Sequence, residues 1–500
     1  MKNRQRVIRV IAIILAVLLA GGMVVSVLVS FLAGSGYAEE AARDQYAIEM
    51  EYLEEEQALR VSQRLVYTNR TPDRLQAVLF YASGNMFRRQ SALMYESGDL
   101  DAVFPYGYAP AGIDLRAVRF NGQEADWGYQ GEEETCLRVA CDLAPGESGA
   151  FEFEFDLLLM ACGAFQGVGE TDVRLSAFYF IPGRYDANYH EFVLKQPLPF
   201  TRWLESDAAD YEVTLALPAG YAAAGTGARS RDGDAWRFSA KDIREFAVSF
   251  GRRWRETTRV TASGVTLRAL TNVRGAGKRM LDALEKAVGQ CEAWFGEFPV
   301  RELTVAQSDY PLGALNFPGV IWLSTDMMQP GRADEMAMKL RFATAQQVFG
   351  LAAYVEPSAD AWLSDSVCAY IAYLMLEDEK GSAAFVSAIN RDWVDALQLT
   401  IPGGLTVTSD ARLFDGYAYD VVVLRRGAVV MHELRTAMGL DGLLSGLAEF
   451  RRMGQSGETL TEMDFVAAMD AASGRSWEAF LTDWVFNVGD YVNQQIDWYE

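Results

Sequence analysis

Few side chains in this 500-residue chain are equipped for metal or nucleophilic chemistry, and their spacing decides what they can do. Only two histidines occur, His190 and His432. A catalytic zinc ion is commonly held by two imidazoles at i and i+4 of one helix, as in H-E-x-x-H, because that spacing puts both rings on one face. The string His432-Glu433-Leu434-Arg435 opens in this way, but the fifth position is Thr436, so the second imidazole is missing. The five cysteines (Cys136, Cys141, Cys162, Cys291, Cys368) include no C-x-x-C pair, which removes zinc ribbons. On one strand, Cys136 and Cys141 point to opposite faces, so buried free thiols are the expectation, with an isolated disulfide as the alternative. Ser364-Asp365-Ser366 brings hydroxyls beside a carboxylate without a neighbouring histidine base.

Three strings nevertheless carry a resemblance. They are G-A-L-N-F-P-G-V-I (Gly313–Ile321), F-A-T-A-Q-Q-V-F-G (Phe342–Gly350) and D-A-W-L-S-D-S-V-C-A-Y-I-A-Y-L (Asp360–Leu374). Together they resemble the core of the alanyl-aminopeptidase-type zinc metallopeptidases, the gluzincin family that also contains leukotriene-A hydrolase. Members carry G-x-M-E-N, then H-E-x-x-H, then W-L-N-E-G-F-A. The resemblance places the two zinc-binding histidines on Phe342 and Gln346 and the general base on Ala343. The third ligand falls on Asp365, 19 residues after Gln346, as in the family. The loop that receives a peptide's amino end falls on Gly313, Ala314, Leu315 and Asn316, with Asn316 in place of the family's glutamate. Val421–Gly439 resembles the family's Y-x-K-G-A-x-x-L helix, and its transition-state-stabilising tyrosine falls on Leu424.

Phe has no lone pair for a metal, an amide is a poor zinc ligand and Ala has no proton to move. Asp365 keeps a carboxylate, one methylene shorter. What the resemblance implies is therefore a pseudoenzyme: a metallopeptidase fold with no bound zinc or other cofactor and no catalytic residues. Its natural ligand is a peptide or protein segment in the old cleft. Two alternatives stand beside this reading: an active aminopeptidase with a rewired site, and an accessory subunit of a membrane complex. Arg425 and Arg426 are candidates for a positive patch in the cleft or for ion pairs with Asp365 or another acid.

The elements that position these residues follow from composition and periodicity. Val10–Ala33 is 24 mostly apolar residues, about 36 Å as a helix, against about 30 Å of bilayer hydrocarbon. Lys2, Arg4, Arg6 and Arg9 precede it, and Glu39-Glu40 follow. The expectation is a single-pass anchor with its N-terminus cytoplasmic and the bulk of the chain extracytoplasmic. A signal peptide cut after Ala38 is the competing reading, disfavoured by the length of the apolar run. Without those four bases the chain holds 41 basic against 68 acidic residues, which disfavours nucleic acid and anionic lipid surfaces.

Residues 1–38 are thus read as cytoplasmic stub and transmembrane helix. Residues 39–57 are read as a helical stalk, with Tyr46, Met50 and Leu53 on one helix face. From 58 to 255 the pattern turns to period two, as in Phe151-Glu152-Phe153-Glu154-Phe155, and predicts an antiparallel β domain. It resembles the family's β-saddle, including Tyr211–Tyr221 and Arg244–Gly251. Residues 256–500 are predicted as a thermolysin-like, mostly helical domain, in an α+β multidomain chain. Gly275–Phe295 and Glu335–Leu351 are its clearest helices. No oligomeric state follows from the sequence.

Overall fold

The computed structural model describes residues 43–90, 101, 103–195, 203–399, 404–455, 457–482 and 485. The proposed anchor Val10–Ala33 lies outside the described residues. Among those described, no helix is long and apolar enough to cross a membrane.

The chain from Arg43 onward forms one compact unit. It begins with a strand rather than a helical stalk. Strand β1 (Asp44–Leu53) buries Tyr46, Ile48, Met50 and Tyr52 and exposes Ala47, Glu49 and Glu51 between them. The helical reading picked Tyr46, Met50 and Leu53 at helical spacing and passed over Ile48 and Tyr52. The buried set has period two, and tertiary pairing overrides a weak local propensity. β1 pairs antiparallel with β2 (Ala58–Thr68), across the acidic turn Glu54–Gln57, so the β structure starts at Asp44.

β2 in turn pairs antiparallel with β3 (Ser148–Leu158), whose alternating phenylalanines Phe151, Phe153 and Phe155 all face the core. On its other edge β1 pairs parallel with β4 (Ala209–Ala216). These four strands are the centre of an eight-stranded sheet. Two four-stranded sheets and a two-stranded one (Arg184–Asp186 with Glu191–Val193) complete this half. Buried Gln63 crosses between layers, donating to the Phe180 carbonyl at 2.7 Å and accepting its N–H at 2.9 Å.

At Arg253-Trp254 the chain leaves these sheets and enters a five-stranded one: β5 (Arg255–Val260), β6 (Thr266–Thr271), β7 (Glu302–Ser308), β8 (Ala314–Phe317) and β9 (Val320–Ser324). The spatial order is β5-β6-β7-β9-β8, parallel through β6, β7 and β9 and antiparallel at both ends. Its residues alternate between two cores. Leu270, Ala306 and Trp322 pack towards the β half, while Val305, Ile321 and Leu323 pack against the helices. Those helices are α1 (Ala276–Phe295), α2 (Ala333–Val348), α3 (Ala361–Lys380) and, after a π-helical segment at Asp420–Arg426, α4 (Gly427–Met438). The edge strand β8 lies beside α2, and that placement builds the site.

Candidate functional site

Two adjacent glutamines fix α2 to the edge of the sheet. Gln347 accepts the Gly319 N–H at 2.9 Å and donates to the Phe317 carbonyl at 3.1 Å, gripping the β8–β9 turn. Gln346, one position earlier, faces the other way and accepts a hydrogen bond from Asn316 Nδ2 on β8. Its own Nε2 donates to Asp365 Oδ1 at 2.7 Å. Asp365 lies in the second turn of α3 and also accepts from Ser364 Oγ at 3.0 Å and from Tyr419 Oη at 2.8 Å. The sequence positions Asn316, Gln346 and Asp365 are therefore brought together, joined by a hydroxyl that sequence reasoning missed.

The polarity of this chain of bonds follows from Asp365. A carboxylate only accepts, so Gln346 turns its NH2 towards it and presents its carbonyl to Asn316. Asn316 answers with its NH2, which leaves Asn316 Oδ1 buried without a partner. Asn316 and Gln346 are 3% and 6% exposed. An unpaired acceptor at that depth costs about 1–3 kcal/mol unless a donor reaches it. Nearby Tyr310 is fully enclosed, and burial, then the Asp365 charge, push its phenol well above its ordinary range.

The other expected positions are apolar in surroundings as well as in type. Ala343 is completely buried in the helical core, and Phe342 is half-buried against it. Leu424 packs on a small cluster of Ala361, Ala411, Tyr419 and Val423, away from any polar partner. Tyr419, five residues earlier, supplies a hydroxyl to Asp365 instead, from the end of a short helix (Gly416–Tyr419) that runs into the π-helical segment. The signal available in the sequence was Tyr417-Ala418-Tyr419 just ahead of the apolar run. Close approach of the π segment to α3 depends on Gly427, whose absent Cβ would meet Ser366 Oγ at 2.0 Å. Ser366 Oγ donates to the Val423 carbonyl there at 2.7 Å.

The recognition loop is held by Gly313, which adopts φ +89° and leaves room for the Lys339 stem. Ala314 is partly buried and Leu315 buried. The two arginines do not reach Asp365: Arg425 pairs with Asp420 at 2.5 Å, and Arg426 donates to the carbonyls of Ala396 and Leu399. Cys368 turns its thiol to the Phe349 carbonyl, away from Asp365. His432 is buried beside Tyr370, Phe385 and Trp393, and burial holds its pKa down to about 4. His190 is exposed and bonds Asp73, which raises its pKa.

This donor set does not fit a zinc ion. Phe342 offers no lone pair, both ends of the Gln346 amide are engaged, and both Asp365 oxygens already accept hydrogen bonds. Among the described residues no group of three or more His, Cys, Asp or Glu side chains is placed to hold a metal.

The sheet-edge strand, paired helices and leading β layers give the chain the fold of the M1 zinc metallopeptidases, the aminopeptidase class. The M1 zinc metallopeptidase of Deinococcus radiodurans superposes with a TM-score of 0.60 at 17% identity, covering 89% of this chain and 93% of that one. A mutant of it bound to a Tyr-Ser-Ala substrate gives 0.61 at 17%, again over 89% and 93%. A two-domain M1 zinc metallopeptidase mutant bound to L-arginine gives 0.62 at 16%, over 89% and 93%. At these identities the likeness establishes the fold. No protein-family model matches the chain, and no curated protein does.

Proposed function

We propose that this chain is a pseudopeptidase: an M1-type fold that has lost zinc and hydrolysis and keeps its cleft for binding a peptide or protein segment. The observation that carries the reading is the closed network Asn316–Gln346–Asp365–Tyr419. It joins Gln346 and Asp365, the positions that the resemblance assigns to zinc ligands, by hydrogen bonds among the protein's own side chains. Without a metal, water keeps a pKa near 15.7 instead of about 7, and Ala343 supplies no base. The unpaired Asn316 Oδ1 then accepts a donor from the ligand, for which a peptide's amino end is suited. Exposed Leu312 and Tyr417, next to Gly313 and two residues before Tyr419, offer apolar contact area beside these positions. We further propose that Val10–Ala33 anchors the protein in a membrane, with the cleft on the extracytoplasmic side.

The test pairs hydrolysis with binding. Purified protein with added zinc is expected to release no amino acid from Tyr-Ser-Ala, the tripeptide bound by the Deinococcus structure, yet to bind it in calorimetry. Chelator-sensitive release of the amino-terminal residue overturns the reading.

A further inference from the structure

One cation beside the recognition loop is not absorbed by the network just described. Lys339 lies on the same α2 face as Phe342, Ala343 and Gln346, at i, i+3, i+4 and i+7. Its stem packs on the recognition loop, with Cε 2.9 Å and Nζ 3.5 Å from where a Cβ on Gly313 would stand. Gly313 is thus kept free of a side chain on the side that Lys339 occupies. Among the described residues no carboxylate lies within 4.0 Å of the Lys339 ammonium and none hydrogen-bonds to it.

The charges around Lys339 explain why. The acids whose charges act on it most are Asp420 and Glu335, and the bases are Arg425 and Arg332. Asp420 is taken by Arg425 at 2.5 Å and Glu335 by Arg332 at 2.5 Å. The neighbours neutralise one another and leave the ammonium uncompensated. Burial of the stem pulls its pKa below the ordinary lysine range, as desolvation without a counter-charge does.

Two contacts set the distance from Lys339 to the unpaired acceptor. Lys339 packs on Gly313, and Gln346 bonds Asn316. Three residues of strand span about 10 Å, and seven residues of helix about 10.5 Å. Both elements therefore measure the same gap between a site for a donor and a site for an anion. Three residues of extended chain span about 10–11 Å.

We propose that Lys339 is the anion-binding end of the cleft, taking the terminal carboxylate of a three-residue peptide whose amino end is held at Asn316. This rests on the reading of the cleft as a peptide-binding site, and the experiment separates the two. Calorimetry compares Tyr-Ser-Ala, its C-terminal amide, and Tyr-Ser-Asp amide, which carries its carboxylate on a side chain. The full chain, Lys339→Met and Lys339→Arg are used, with unchanged melting temperatures as the folding control.

The free acid is expected to bind the parent at least tenfold tighter than either amide. Lys339→Met is expected to erase that difference and Lys339→Arg to keep it. Equal binding of acid and amide by the parent overturns the role of Lys339 and leaves the peptide cleft standing. Binding of Tyr-Ser-Asp amide as tightly as the free acid overturns the main-chain carboxylate. No binding of any of the three defeats the peptide-cleft reading itself, and the role of Lys339 with it.

Discussion

Replacing Gln346 by leucine tests the network where it is narrowest. The change removes two hydrogen bonds at once, one from Asn316 and one to Asp365. The bond to a carboxylate contributes about 1.5–3 kcal/mol, and the stranded Asn316 donor costs about 1–3 kcal/mol. Leucine's extra apolar burial returns about 1 kcal/mol. The net loss expected for Gln346→Leu is therefore about 1.5–5 kcal/mol. Urea unfolding followed by tryptophan fluorescence measures it, since Trp362 and Trp393 lie in the same helical core. A double-mutant cycle with Asp365→Leu isolates the pair, and a coupling energy of about 1.5–3 kcal/mol is expected. If Gln346→Leu stays within about 0.5 kcal/mol of the parent, or the two substitutions add without coupling, the closed network is not what holds the site together.

Three further outcomes follow from particular contacts. Tyr419→Phe is expected to lose about 1.5–3 kcal/mol through its bond to Asp365, while Leu424→Tyr leaves the melting temperature lower and gives no hydrolysis in a peptide-release assay. Gly427→Ala is expected to destabilise by about 1–3 kcal/mol through overpacking against Ser366, and adding Ser366→Gly restores most of the urea midpoint. For pH, His432 is held neutral to about 4 against 6.5, so its contribution is complete above 6.5 and falls as the unfolded chain gains a proton between 6.5 and 4, by up to about 3 kcal/mol. Buried Asp44 and Asp172 and half-buried Asp360, raised to about 6, contribute the opposite slope, complete below 3.8 and lost as pH rises to 6. Comparing the parent with His432→Gln across pH 4–7 isolates the histidine.

Much of this was legible in the residues. The period-two phenylalanines gave β3, and the apolar stripe of α1 gave its helix almost to the residue. Asn316, Gln346 and Asp365 were named from the family resemblance, and the structure brings all three into one set of bonds. What was not legible has physical causes. β1 reads as charged helix because Glu49 and Glu51 are on its exposed side, and only pairing with β2 and β4 makes it a strand. Tyr419 was hidden because it lies just outside the string Val421–Gly439 that carries the resemblance, on a separate short helix. Lys339 drew no notice because its isolation depends on two ion pairs, Asp420–Arg425 and Glu335–Arg332, the first of which lies on a different helix from its own.

Zinc stoichiometry is the most direct test. The full chain is dialysed against zinc, freed of excess metal and analysed by elemental mass spectrometry, beside a variant carrying Phe342→His, Ala343→Glu, Gln346→His and Asp365→Glu. The unmodified protein is expected to hold far less than one zinc per chain, and the variant to gain metal with little turnover. One zinc per unmodified chain, lost on Asp365→Ala, would contradict the pseudopeptidase reading outright.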